Sequence, residues 1–247
     1  GSECEPVNGK DIISTSDTYI QDVTQSALME MMVGNNSTHG TAIVMETATG
    51  KIKAIANLGK QADGSYIEDL NYGIGKATAL RLAEAGANIV IADLKLEDAQ
   101  AAVKDIEALG VKALAVECNI LKDDDLVTMV DTVVAEFGTV NILINNAGGG
   151  GGGRENPTTA SVDDIRRDFE LNVFSGWRLS QLCAPHMKKS GYGSIVFTTS
   201  MSSVNKSPNM SGYAGSKAAV NHMVANLAHD FGPEVRVNAV GPGATRT

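Results

Sequence analysis

Three side chains late in the chain have the types and spacing for proton chemistry. Tyr213 and Lys217 lie four residues apart in Ser211-Gly212-Tyr213-Ala214-Gly215-Ser216-Lys217-Ala218-Ala219-Val220, and Ser200 stands thirteen residues before the tyrosine. Four residues is about one helical turn, so phenol and ammonium would share a face. Small residues around the pair, then Val220, Met223, Val224 and Leu227 at helical spacing, predict that helix. An ammonium beside a phenol favours the phenolate and gives a proton donor and acceptor usable near neutral pH. A serine just after a buried strand can hold the substrate oxygen. A tyrosine and lysine at this spacing also occur on many solvated helix faces, so the chemistry depends on the elements that place them.

From Gly73 those elements alternate. Lys76 to Ala85 reads as helix, Asn88–Ala92 as a buried strand, Leu96 to Leu109 as helix and Ala113–Cys118 as strand. Asp123 to Phe137 follows as a helix with three aspartates at its positive end. Val140–Ile144 is a strand, and the glycine run from Gly148 to Gly153 is expected to be a mobile loop. Ser161 is placed to cap a helix to about Asn172, with Gly176 to Lys188 helical after it. Ser194–Thr198 and Val235–Val240 complete the strands. Continuous apolar strands separated by helices predict a parallel sheet covered on both faces, an α/β doubly wound (Rossmann-like) fold. Such a fold binds ligands at the carboxyl ends of its strands.

Gly73-Ile74-Gly75 opens the first of these helices, where small residues let a backbone approach phosphate at a helix N-terminus. Asp93 ends the next strand, eighteen residues after Gly75. A carboxylate there can bind both ribose hydroxyls of an adenosine and would repel a 2′-phosphate, which favours NAD over NADP. With Asn145-Asn146-Ala147-Gly148, Asn172, Ser200, Tyr213, Lys217, Pro242-Gly243 and Thr247, residues 73–247 resemble the short-chain dehydrogenase/reductase family. The stretches Asn145–Gly151 and Ala218-Ala219-Val220-Asn221-His222 look most like its bacterial 7α-hydroxysteroid dehydrogenases.

That resemblance implies an oxidoreductase passing a hydride between NAD and a secondary alcohol or ketone, with a 7α-hydroxysteroid as the expected substrate. It implies that Tyr213 gives or takes the hydroxyl proton, that Lys217 lowers its pKa and binds the nicotinamide ribose, that Tyr213 as well as Lys217 contacts the cofactor, and that Ser200 orients the carbonyl or alkoxide. Asn172 would hold a water that relays the proton. Gly73, Ile74, Gly75 and Asp93 would face the dinucleotide, with Asn146, Ala147 and Gly148 on the adenosine-ribose side and Asn119-Ile120 near adenine. Asn119 stands where the family often has Asp. Pro242, Gly243 and Thr247 would touch the nicotinamide end. A homo-oligomer is implied as well.

Residues 1–72 read differently. An amphipathic helix is expected from about Thr18 to Val33, followed by a hairpin of Thr41–Met45 and Lys51–Ala56 around Thr47-Ala48-Thr49-Gly50, then a polar, turn-rich stretch from Gly59 to Asn71. Gly9-Lys10-Asp11-Ile12-Ile13-Ser14-Thr15, Ala42-Ile43-Val44-Met45, Thr49–Ala56 and Asn71–Gly75 resemble the start of a penicillin-binding protein transpeptidase domain. Ser203-Val204-Asn205-Lys206 fits that family's Ser-x-x-Lys, but with Ser207-Pro208-Asn209 crowded beside it and no Lys-Thr-Gly after it, the match reads as coincidence.

Two departures bear on the dehydrogenase-like part. Where that family's first strand ends in Thr-Gly, this chain has Glu68-Asp69, and Gly64–Glu68 is a poor central strand. Asp69 lacks the freedom of glycine for the tight turn, and two carboxylates would repel a pyrophosphate. Losing a mid-sheet strand should expose the core, unless Thr41–Met45 or Lys51–Ala56 fills the slot. The chain also stops at Thr247, before the family's substrate-covering elements, so truncated oligomer contacts are expected. The expected domains are therefore a transpeptidase-like segment, 1–72, and an incomplete dehydrogenase-like domain, 73–247. The alternative to an enzyme is a chimera fused at Gly73-Ile74-Gly75, with no useful catalysis.

Composition narrows the remaining classes. The chain has 247 residues, 43% of them hydrophobic, and a net charge of −9 without a Lys/Arg block. Nucleic acid and membrane partners are not expected. Cys4, Cys118 and Cys183 lack metal-ligand spacing and fit a reducing, cytoplasmic setting, and no metal site is expected. His186, His222 and His229 lie on helical stretches without a paired acid and read as structural or exposed.

Overall fold

The computed structural model describes residues 27, 29–31, 33, 39–46, 51–60, 66–68, 73–150, 156–206 and 208–242. The chain divides into two compact units, the second being Ile74–Ala244. In the first, the described residues between Ala27 and Val33 are helical, as their spacing predicts, and Met31 is exposed. The rest of that helix lies outside the described residues. The expected hairpin forms: β1 (His39–Glu46) pairs antiparallel with β2 (Lys51–Lys60), with a bulge between Val44 and Met45. A short β3 (Tyr66–Glu68) adds antiparallel to the end of β2, so part of the stretch expected to be turn-rich is strand. These three strands form a sheet of their own. The idea that one of them completes the parallel sheet is thereby corrected: Thr41–Met45 and Lys51–Ala56 take each other as antiparallel partners, and among the described residues the only further strand paired with them is β3, at Leu58–Lys60.

The second unit alternates helix and strand. Its order is α1 (Ile74–Glu84), β4 (Ile89–Asp93), α2 (Leu96–Glu107), β5 (Ala113–Glu117), α3 (Asp123–Phe137), β6 (Ile142–Asn145), α4 (Val162–Phe169), α5 (Ser175–Ser190), β7 (Gly193–Thr198), α6 (Ser211–Phe231) and β8 (Val235–Val240). Gly138 and Gly191 end α3 and α5 in the left-handed conformation that glycine adopts without strain. Ser161 caps α4 in a reciprocal pair with Asp164: the Asp164 N–H donates to the Ser161 hydroxyl, and the Ser161 N–H donates back to the Asp164 carboxylate. Between α4 and α5 the helix does not break. It runs through a π turn, Glu170–Phe174, whose extra residue per turn rotates the side chains that follow.

All strand pairings in this unit are parallel, which makes it a Rossmann-like α/β fold. The expected single sheet is corrected to two: β4-β5 and β6-β7-β8. Among the described residues no strand joins the two, and the stretch that precedes α1, Gly64–Glu68, is not a competent apolar strand. Two consequences are visible. The core is split into a large cluster around Met187, Ile195, Phe197, Val220 and Val235, and a small one around Ala79, Ala83, Ile89 and Ile106. In addition, β4 and β5 are mostly half-buried, not covered on both faces, whereas β7 is almost wholly buried. The side chain of Asn145, at the end of β6, has both polar atoms buried without a hydrogen-bond partner. An unpaired buried amide costs about 1–3 kcal/mol, consistent with a strand missing from its side.

Gly176 sets how closely α5 lies on β7. A Cβ there would sit 2.6 Å from the Phe197 ring, which is buried to 2% exposure and has no room to swing. Gly176→Ala should destabilise the protein by up to about 2 kcal/mol, because overpacking at this short contact, toward the upper end of roughly 1–3 kcal/mol, outweighs the gain of about 1 kcal/mol in helix propensity. A urea midpoint unchanged or raised by the substitution would contradict this packing.

Candidate active site

Helix α6 carries Tyr213 and Lys217 one turn apart. Lys217 is 4% exposed, and its Nζ donates to the backbone carbonyl of Thr198, the last residue of β7, at 2.8 Å. The same Nζ lies 5.9 Å from the centroid of the Tyr213 ring. Burial lowers the lysine pKa from 10.5 to about 8, so its charge persists at neutral pH and is lost just above it. Tyr213 is half-buried.

Ser200 follows β7 in extended conformation and caps the short 3-10 turn Met201–Ser203. Its hydroxyl accepts the Ser202 N–H at 3.1 Å, so its own proton is directed to another acceptor. The π turn delivers Asn172, 5% exposed, into the same region. Its Oδ1 accepts the Gly149 N–H at 3.0 Å, while its Nδ2 donates to the Gly149 carbonyl at 2.8 Å and to the Ser216 hydroxyl at 3.0 Å. Both amide hydrogens are therefore used within the protein, and a relayed proton could meet Asn172 only at its oxygen. Gly148 lies against this group: a Cβ would stand 2.7 Å from Asn172 Oδ1 and 3.1 Å from Lys217 Nζ. Only glycine leaves those two polar atoms room.

The residues expected along a dinucleotide lie at the carboxyl ends of the strands. Gly73 precedes α1, Ile74 begins it, and a Cβ on Gly75 would meet Asn146 Nδ2 at 2.7 Å, so the first turn of α1 abuts the end of β6. Asn146 Oδ1 accepts from the Thr198 hydroxyl at 3.2 Å, joining the ends of β6 and β7. Ala147 and Gly148 are exposed. Asp93 ends β4, exposed, and accepts the Lys95 N–H at 3.0 Å. Asn119 follows β5; its side-chain oxygen accepts the Leu121 N–H and its backbone N–H donates to Asp125, with half-buried Ile120 beside it. Pro242 follows β8 and accepts the Met201 N–H. Gly243 and Thr247 lie outside the described residues, as do 151–155 of the glycine run. The N-terminus of α1 offers N–H donors to an anion and the exposed strand-end carboxylate of Asp93 can accept from hydroxyls, a combination that fits a dinucleotide.

The short chain dehydrogenase family matches residues 70–247. The chain is a short-chain dehydrogenase. It is 43% identical over 192 residues to the 7α-hydroxysteroid dehydrogenase of Escherichia coli K12, covering 77% of this chain and 74% of that protein. A solved 7α-hydroxysteroid dehydrogenase complexed with NADH and 7-oxo glycochenodeoxycholic acid superposes with a TM-score of 0.67 at 45% identity, over 70% of this chain and 67% of that one. An NAD+-bound xylitol dehydrogenase superposes with a TM-score of 0.66 at 36% identity, over 69% and 65%. This short-chain dehydrogenase is accordingly a nicotinamide-dependent oxidoreductase of an alcohol–ketone pair.

Four groups bonded to these residues are given no part in the site by the sequence: the Thr198 carbonyl, Ser216, Ser203 and Asn221. Ser216 is fully buried, accepts from Asn172 and donates to the backbone carbonyl of Tyr213 at 2.7 Å. Its only sequence signal is a hydroxyl in a helix position adjoining Lys217, which local pattern cannot tell from a solvated serine. Ser216→Ala leaves an Asn172 amide hydrogen buried and unpaired, and should lower stability by about 1–3 kcal/mol. Thermal unfolding checks this, and an unshifted midpoint would refute the link. Of the three histidines on helices, His222 and His229 are exposed and His186 is half-buried. Cys118 and Cys183 are free and buried, their thiol pKa values raised by desolvation, for Cys183 to about 12. Among the described residues no helix is long and apolar enough to cross a membrane, and no group of three or more His, Cys, Asp or Glu could hold a metal ion.

Proposed function

We propose that this short-chain dehydrogenase interconverts a 7α-hydroxyl and a 7-oxo group on a bile-acid-type steroid and uses NAD, not NADP. The observation that carries the reading is Lys217: a buried ammonium tethered to the end of β7, one turn from Tyr213 and against Gly148. Tyr213 exchanges the proton of the substrate hydroxyl. Lys217 supplies positive charge beside it, and Ser200 donates to the substrate oxygen. Asn172 holds the Gly149 backbone and Ser216 in place, and its oxygen would accept from a water that relays the proton outward. The bound nicotinamide supplies the hydride acceptor or donor. The first turn of α1, with Gly73, Ile74 and Gly75, would offer its N–H groups to the pyrophosphate, Asn146, Ala147 and Gly148 would lie on the adenosine-ribose side, and Asp93 would take the ribose hydroxyls. Identity to the 7α-hydroxysteroid enzyme supports the substrate class. The exposed carboxylate of Asp93 at a strand end supports NAD.

The first 72 residues are read as a segment of separate origin that takes no part in this chemistry. In support, the family match begins at residue 70 and β1–β3 form their own antiparallel sheet. Ser203 is not read as an acylation site, because its hydroxyl is bonded to Asn221 and Ser200.

A second reading, an α/β body without useful catalysis, is favoured by the division between β4 and β6 and by the orphaned Asn145 amide. Calorimetric titration with NAD and with NADP separates the two, followed by turnover on a 7α-hydroxy bile acid. Saturable micromolar NAD binding, weaker NADP binding, and a gain in NADP affinity for Asp93→Ser are the expected results. No binding at millimolar NAD would establish the second reading.

A further inference from the structure

We propose that Asn221 is a positioning residue that fixes the Ser200 hydroxyl by way of Ser203; this rests on the reading of Ser200 as the group that holds the substrate oxygen. Tyr213, Lys217 and Asn221 fall at i, i+4 and i+8 on α6 and so form one stripe. The lower two members both reach the chain that leaves β7. Lys217 holds the carbonyl of Thr198, and Asn221 Nδ2 donates to the Ser203 hydroxyl at 2.7 Å. The Ser203 hydroxyl in turn lies 2.5 Å from the Ser200 carbonyl, which also accepts the Ser203 N–H at 2.9 Å.

The polarity of this chain is fixed at its first link. An amide nitrogen can only donate, so Ser203 must accept from Asn221 and spend its single hydrogen on the Ser200 carbonyl. The turn closed in this way is the one that aims the Ser202 N–H at the Ser200 hydroxyl. Both oxygens of Ser200 are thus held from one side. The direction of its hydroxyl proton follows from an amide two turns along the helix from Tyr213. Met201 is anchored separately, to the Pro242 carbonyl, so the turn can persist without Asn221 while losing its rotational setting.

Two variants of the full chain test this. Asn221→Leu keeps the volume and removes the donor; Ser203→Ala removes the middle link with a smaller change. Each should lower kcat on a 7α-hydroxy bile acid by about tenfold, as expected for a small misplacement of a reacting group, with the KM for NAD unchanged. The double variant should lose no more than either single one, and in a Ser200→Ala background neither should cost anything further. An equal loss in the Ser200→Ala background would overturn the proposal. Amide hydrogen exchange across Met201–Asn205 gives a readout that needs no turnover: it should quicken in Asn221→Leu while α6 keeps its protection. Unchanged exchange in that segment would also overturn the proposal. If the parent chain fails to turn over at all, the proposed function fails instead, and the exchange result still decides whether Asn221 sets the Ser200 turn.

Discussion

Tyr213→Phe should lower kcat by about 10³-fold, within the range that a positioned acid–base group contributes, while NAD affinity stays within a few-fold of the parent. The substitution removes one oxygen and keeps the ring. The ring is half-buried at the start of a long helix, so the fold loses little packing. Lys217 keeps its bond to the Thr198 carbonyl and its approach to the ring face. What is lost is the group that exchanges the proton with the substrate oxygen. Ser200 cannot substitute for it efficiently: a hydroxyl that accepts the Ser202 N–H can donate to a substrate, but an aliphatic hydroxyl gives up its proton far less readily than a phenol. Steady-state turnover beside a calorimetric NAD titration checks both halves. A variant within tenfold of the parent rate would remove Tyr213 from the chemistry. A variant that no longer binds NAD would assign Tyr213 to cofactor binding.

The reach of the sequence differs between the elements and their assembly. Asp123–Phe137 and Val235–Val240 form over the residues predicted, because apolar periodicity and flanking glycines are local signals. Ser161 is legible as a cap for the same reason. Tyr213 and Lys217 are legible because their relation is a helical one. The division of the parallel strands into two sheets is a pairing property: the weakness of Gly64–Glu68 marked the place, but the outcome depended on which strands found partners. The π turn at Glu170–Phe174 has no composition signature, and with it the placing of Asn172 was hidden. Ser216, Ser203 and Asn221 were missed because their partners lie elsewhere in the chain: Ser216 meets Asn172, 44 residues away, and Asn221 meets Ser203, 18 residues away.

Lys217→Met should trade activity for stability, in a way that reverses with pH. The folded-state pKa is about 8 against 10.5 for the free side chain, with desolvation as the cause. Below pH 8 the lysine is charged in both states, and the folded state bears the full cost of burying that charge, roughly 3 kcal/mol at 1.36 kcal/mol per unit. Between pH 8 and 10.5 the unfolded state binds more protons than the folded state, so the stability of the parent rises with pH through that window. Above it both states are neutral and the cost is gone. Methionine removes the charge and also the hydrogen bond to the Thr198 carbonyl, which contributes about 1 kcal/mol. The variant should therefore be more stable than the parent by about 2 kcal/mol at pH 7 and less stable by about 1 kcal/mol above pH 10.5. Its turnover should be lost throughout, because the cation beside Tyr213 is absent at every pH. Urea unfolding of both proteins at pH 7, 8.5 and 10 measures the crossing. Stability curves that stay parallel over this range would show that Lys217 is not held charged against its burial. The parent's own reductive turnover supplies an independent check: it should fall as pH rises through about 8, where the ammonium that favours proton transfer at Tyr213 disappears.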